Sequence, residues 1–288
     1  MKRNLRIHHN LSELGLEKIS PGEIRVEALE RRFEPRVPFP HRHAFVQLCW
    51  ISRGRGWHEI DFVRYPVARH TLFVMKPGQV HDWKMSRDTR GVLVEFDAGA
   101  FASDPRADLL AAILRAPDRL MIADPARLDE LLDLMRTEFA RKEAYYELAL
   151  EAELRALLIF IAREAPAPTR AAAGNDLARK FQALVEKNYA VEHRVEDYAR
   201  RLGLTAKALT MRLTRTLRQS PRKIIQDRVL LEAKRLLTLT DLSVGEVARE
   251  LGLEDANYFT RLFRAKLNLT PSEFRARHRY AMGIAKQN

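Results

Sequence analysis

Over the first hundred residues, apolar side chains come in short runs broken by turn-forming residues. FVQLCWI (45–51) is followed by SRGRG (52–56), WHEIDF (57–62), TLFVM (71–75), KPGQ (76–79) and GVLVEF (91–96). Short β-branched and aromatic runs at this spacing predict antiparallel strands closed into a sandwich or barrel. From 105 onward the period lengthens. Leu128, Leu131, Leu132, Met135 and Phe139, then Leu150, Leu154, Leu157, Leu158 and Ile161, recur at helical spacing and predict two amphipathic helices over 127–163. These helices hold more Leu and Ile than one sheet face needs, so a homodimer built there through Leu154 and Leu158 is expected, the alternative being that the stripe lies wholly against its own barrel. The stretch 165–176, APAPTRAAAGND, is Ala- and Pro-rich without an apolar anchor and reads as a linker. Everything after it is helical in pattern. The expected fold class is α+β: an N-terminal double-sheet β-barrel followed by two helices over 1–164, a linker over 165–175, and an all-α domain over 176–288 with two helix-turn-helix units joined by a long helix.

Composition narrows the function classes. With 46% hydrophobic residues in 288, the chain can build a sizeable core, and its single cysteine, Cys49, excludes an internal disulfide framework. The run LLIFIA (157–162) is far shorter than the ~18 apolar residues of a membrane span. MKRNLRIHHN leads into no signal-peptide core. A soluble cytoplasmic protein without a membrane partner is expected. The net charge of +12 is unevenly placed: residues 1–175 carry 27 Lys and Arg against 25 Asp and Glu, whereas 176–288 carry 23 against 13. A near-neutral half joined to a half of net +10 points to a polyanion, and nucleic acid fits better than a lipid surface because no anchoring stripe accompanies the charge.

The basic half contains an internal repeat. VEDYARRLGL (195–204) recurs as VGEVARELGL (244–253), an offset of 49 that brings Ala199/Ala248, Leu202/Leu251 and Gly203/Gly252 together. After one inserted residue the offset is 50, and Leu209/Phe259, Leu213/Phe263, Ser220/Thr270 and Pro221/Pro271 fall into register. Each copy has helix-turn-helix layout. A small alanine lies where a second helix crosses, and a glycine four residues on gives the turn its freedom. Thr205 or Asp255 then caps the second helix. Between the copies, RKIIQDRVLLEAKRLLTL (222–239) predicts a helix able to hold two recognition helices about one DNA turn, ~34 Å, apart.

On these residues, 176–280 resembles the DNA-binding domain of the AraC/XylS transcription regulators. The likeness rests on the Ala-x-x-Leu-Leu segment (Ala233 to Leu237), on LSVGEVARELGLEDANYFTRLFRAKLNLTPSEFR, and on the closing Thr270 to Arg275. The first unit departs further, with Arg218 where glycine is common and Leu213 where an aromatic is common. By position, the resemblance places base contacts on Lys207, Thr210 and Met211 and on Ala256, Asn257, Thr260 and Arg261. Arg261 suits guanine O6 and N7, Asn257 suits adenine, the methyls of Ala256 and Thr260 suit thymine, and Met211 offers apolar contact only. Arg212, Arg215, Arg264 and Lys266 are expected to hold phosphates, fixing register without reading sequence.

The strand-rich half resembles a cupin over about 35–100, the barrel that serves as ligand sensor in many regulators of this kind. Metal-binding cupins bring a His-x-His, a carboxylate and a later histidine together. Here His41, His43 and His81 are present, but Gln47 stands in the carboxylate position. The expectation is therefore a small-molecule pocket using His41, His43, Gln47, Arg53, His81 and Trp83, with no cofactor; a divalent metal at the three histidines is the less favoured alternative. His8, His9, His58 and His70 are expected to be solvated or at the edge of the core. No P-loop, dinucleotide fingerprint or His-Glu-x-x-His motif occurs, and no catalytic residue is expected. The resemblance implies a one-component transcriptional activator binding double-stranded DNA, a small-molecule effector and RNA polymerase, and not an enzyme. The alternatives are a metal-dependent cupin enzyme with a nucleic-acid-binding tail and a ligand-independent DNA-binding protein.

Overall fold

The computed structural model describes residues 19–32, 40–97, 107–165 and 176–281. His8, His9 and the expected linker from 166 onward lie outside them. The described residues fall into two compact units, one within Asn10–Ala167 and one within Pro168–Asn288.

The first unit contains strands β1 (Ile24–Ala28), β2 (Val46–Arg53), β3 (Gly56–Ile60), β4 (Val63–Val67), β5 (Thr71–Met75), β6 (His81–Met85), β7 (Arg90–Phe96) and β8 (Arg119–Met121). They form a five-stranded sheet, β1-β7-β2-β5-β8, facing a three-stranded sheet, β4-β3-β6. Strand β2 shows why its sequence is apolar on both faces. Val46, Leu48 and Trp50 belong to a cluster with Leu72, Val74, Val92 and Val94. Cys49 and Ile51 point the other way, into the barrel, with Ile60, Phe73, Met75, Trp83 and Leu93.

The outer cluster is covered by α1 (Ala107–Arg115), α2 (Pro125–Arg141) and α3 (Tyr146–Glu164). Trp50 Nε1 donates to Asp129 Oδ1 at 2.7 Å and ties α2 to the sheet. This arrangement corrects the expected use of Leu154 and Leu158. Both are fully buried in the same cluster as the sheet's outer face, so they are core residues of their own unit. The sheet is larger than the apolar runs over 45–96 suggest. Strands β1 and β8 and helix α1 add apolar surface, from Ile24, Val26, Leu120 and Ile113, to the cluster in which these leucines are buried. Strand β4 hides behind Pro66 at a sheet edge, where a missing N–H is tolerated, and β6 turns the polar His81 inward, breaking the expected alternation.

The second unit is helical: α4 (Asp176–Asn188), α5 (Val195–Arg201), α6 (Ala206–Leu217), α7 (Pro221–Leu239), α8 (Val244–Glu250), α9 (Ala256–Leu267) and α10 (Pro271–Ala281). Helices α5/α6 and α8/α9 are the two repeat copies. Their turns place Gly203 at φ +65° and Gly252 at φ +68°. Thr205 Oγ1 accepts from the amide of Ala208, and Asp255 Oδ1 from that of Asn257. Each copy has its own small core. Leu209 and Leu213 pack with Phe181, Tyr198, Ala199 and Ile225. Phe259 and Phe263 meet edge to face at 5.7 Å, and Phe263 meets Phe274 at 5.5 Å. Helix α7 begins on a Ser220 cap with Pro221 in its first turn, and its 19 residues span about 28 Å. Among the described residues no helix is long and apolar enough to cross a membrane.

Candidate functional site

The two recognition helices, α6 and α9, bury one stripe and leave another open. In α6, Lys207, Thr210, Met211, Arg212 and Arg215 are exposed, Met211 to 67%. In α9, Asn257, Arg261, Arg264 and Lys266 are exposed, while Ala256 and Thr260 are half-buried. Residues 257, 260, 261 and 264 share one face by helical spacing. The Thr260 hydroxyl donates to the carbonyl of Ala256 at 2.9 Å, leaving its methyl as the free part of the side chain. Arg261 lies 3.8 Å from Asp255 Oδ2. The apolar seams Leu209/Leu213 and Phe259/Phe263 thus fix which way each set of basic and polar side chains faces.

In the barrel, three histidines gather around His81. Its ring centroid lies 4.3 Å from that of His41, 5.0 Å from that of His43 and 5.4 Å from that of His58. His43 Nδ1 donates to the Phe45 carbonyl at 3.0 Å, which leaves its Nε2 as a lone-pair acceptor. A nitrogen of His58 meets His81 Nδ1 at 3.2 Å. Burial first, and then the neighbouring imidazoles, disfavour the charged form. His43 and His58 are lowered to about 3, and His81 falls well below its ordinary value. His58 is therefore a fully buried member of this cluster, not a solvated or edge residue.

Gln47 is buried as well, and its amide donates to Glu95 Oε1 at 2.7 Å. Arg32 binds both oxygens of Glu95 at 3.1 Å. Burial raises the Glu95 carboxyl despite the Arg32 charge beside it. Trp83 packs inside the barrel against His58 and His81. Arg53 does not join the group. Its side chain is 72% exposed and faces Asp88 at 3.5 Å on the surface. Four polar atoms near His81 are buried without a hydrogen-bond partner: His43 Nε2, Gln47 Oε1, His58 Nδ1 and His81 Nε2. Among the described residues no group of three or more His, Cys, Asp or Glu is arranged to hold a metal ion. The Gln47 amide is turned toward Glu95.

A double-sheet unit with a polar centre, joined in one chain to tandem helix-turn-helix units, defines a transcriptional regulator. Residues 23–158 match the AraC-like ligand binding domain and residues 198–277 match a helix-turn-helix domain. The chain is 22% identical over 282 residues to the HTH-type transcriptional activator RhaR of Klebsiella pneumoniae, covering 92% of this chain and 97% of that one. It is 24% identical over 250 residues to the HTH-type transcriptional regulator YfiF of Bacillus subtilis, covering 82% and 78%. Among solved structures it is similar to ToxT of Vibrio cholerae, at 15% identity and a TM-score of 0.45 over 88% of this chain and 98% of that one. The chain belongs to the AraC-type transcriptional regulators.

Proposed function

We propose that this protein is a one-component activator in the cytoplasm that seats α6 and α9 in two neighbouring major grooves of one duplex and answers to a small molecule held in its barrel. The observation that carries the DNA reading is the pair of exposed recognition faces, Lys207 to Arg215 and Asn257 to Lys266, within a half of net charge +10. Lys207, Thr210, Met211, Ala256, Asn257, Thr260 and Arg261 read bases; Arg212, Arg215, Arg264 and Lys266 hold phosphates. Fluorescence anisotropy of the full chain on a duplex selected from a random pool tests it. The logarithm of affinity should fall linearly with the logarithm of salt concentration, and salt-independent binding would reject the polyanion reading.

The effector reading is supported by the four orphaned polar atoms around His81. Each buried polar atom left unpaired costs about 1–3 kcal/mol, which a bound molecule can recover. Because His43 Nε2 and Gln47 Oε1 accept, a ligand bearing hydroxyl or amine donors is the best match. His41, His43, Gln47, His81 and Trp83, joined by His58, form the pocket; Arg53 is not assigned to it. No cofactor and no catalytic step are assigned, and metal analysis of the purified protein checks this. An activator acts through RNA polymerase, and a homodimer can use Leu134, Leu148 and Ile159, which remain exposed on α2 and α3. Light scattering should find a dimer that Leu148→Glu and Ile159→Glu convert to a folded monomer.

The neutral buried imidazoles also set a pH dependence. Below the ordinary histidine value of 6.5 the unfolded chain takes up protons that native His43 and His58 refuse until about 3. Their contribution to stability is thus present above pH 6.5 and is lost as pH falls from there toward about 3. Thermal unfolding of the full chain should show a lower melting temperature at acidic than at neutral pH, with a smaller drop in His58→Phe.

A further inference from the structure

We infer that Asp255 is a positioning residue for base reading: it caps α9 with one carboxylate oxygen and holds the Arg261 guanidinium with the other. The inference rests on the reading of Arg261 as a base contact. Asp255 Oδ1 accepts from the Asn257 amide at 2.7 Å, and its Oδ2 faces Arg261 Nη2 at 3.8 Å. Both side chains are largely exposed, at 56% and 71%, so the pair adds little to stability. What it changes is where the guanidinium points.

The internal repeat supplies the control. In the first unit the cap is Thr205, whose single side-chain oxygen is engaged by the Ala208 amide at 3.2 Å. Six residues beyond Thr205 stands Met211, uncharged, where six beyond Asp255 stands Arg261. Cap and reader therefore change together between the copies. A threonine suffices where it only closes a helix, whereas a two-oxygen cap accompanies the arginine six residues on.

The physical reason lies in the arginine. Its long side chain has many rotamers, and bidentate pairing to a guanine edge must overcome that freedom. A carboxylate fixed at the helix N-terminus, where the helix dipole favours a negative charge, restricts that freedom before DNA arrives. The same carboxylate repels phosphates. It therefore lowers affinity for any duplex while improving discrimination for the right one, a device aimed at wrong partners.

The test uses the full chain on its selected duplex and on single base-pair variants of it. Asp255→Asn and Asp255→Thr both keep a capping oxygen and remove the charge. Both should unfold at the wild-type temperature. Both should lose about three- to tenfold in discrimination at the base pair that Arg261→Ala relaxes, while binding random-sequence duplex as tightly as wild type or more so. The double variant Asp255→Asn/Arg261→Ala should discriminate no worse than Arg261→Ala alone. Unchanged discrimination in Asp255→Asn beside a clear loss in Arg261→Ala would overturn the positioning role. Additive losses at two different base pairs would overturn it too, showing Asp255 to read a base itself. If Arg261→Ala leaves discrimination intact, the base-reading assignment fails and takes this inference with it.

Discussion

The two helix-turn-helix units share a backbone plan and differ in how tightly that plan is enforced. In the first, a Cβ added at Gly203 would meet nothing within 4 Å, whereas at Gly252 it would lie 2.1 Å from the Ala190 carbonyl oxygen. The first helix α6 is seated on aliphatic Leu209 and Leu213, the second on the interlocked rings of Phe259, Phe263 and Phe274. The exposed faces differ in the same sense. At the matched positions 211 and 261, Met211 offers only contact area, while Arg261 carries a group with directional donors. From this contrast we expect the duplicated motif to divide its work unequally, the tighter copy giving the stronger sequence discrimination and the looser copy the weaker.

The largest test of that contrast is at the turns. Both glycines occupy the left-handed region, so Gly203→Ala should cost about 1–2 kcal/mol from backbone strain alone. Gly252→Ala adds a backbone clash and should cost about 3 kcal/mol or more. Chemical denaturation of the full chain reads both, and equal costs would break the comparison. Next in size is the loss at the readers. Arg261→Ala should cost about 1–3 kcal/mol on the cognate duplex and relax preference at one base pair, whereas Met211→Ala should cost under ~1 kcal/mol without relaxing any. Competition binding with single base-pair variants measures each. The smallest effect lies at the helix ends. Arg218 closes α6 at φ +56° where Asn268 closes α9 at φ +55°. Asparagine tolerates this geometry better than arginine, so Arg218→Gly should stabilise by up to ~1 kcal/mol and Asn268→Gly by less.

The second unit was legible in the sequence because its constraints repeat. Ala199/Ala248 and Gly203/Gly252 mark the same crossing and the same turn twice, and a pattern seen twice fixes its own register. The barrel was legible only where strands alternate cleanly, as in β2, β5 and β7. Strands β1, β4 and β6 were missed, and in β6 the reason is that polar His81 occupies an inward position. The same cause hid half of the polar centre. His58 meets His81 from 23 residues away, and Gln47 meets Glu95 from 48 away, distances over which no local spacing rule operates. Arg53 erred the other way: its position in a turn could be matched, but the outward direction of its side chain could not be read. For Leu154 and Leu158 the sequence showed an apolar surplus without showing how much sheet there was to cover.

The most direct test of the division between the two copies is selection of duplexes from a random pool by the full chain, followed by sequencing. Two recognition helices on one face of a duplex should yield two short elements about 10 base pairs apart, one for each major groove. The element under α9 should show strong base preferences that Arg261→Ala weakens at a single position, and the element under α6 should show weak ones. Equal preferences in both elements, or a single short element with nothing one turn away, would contradict the account.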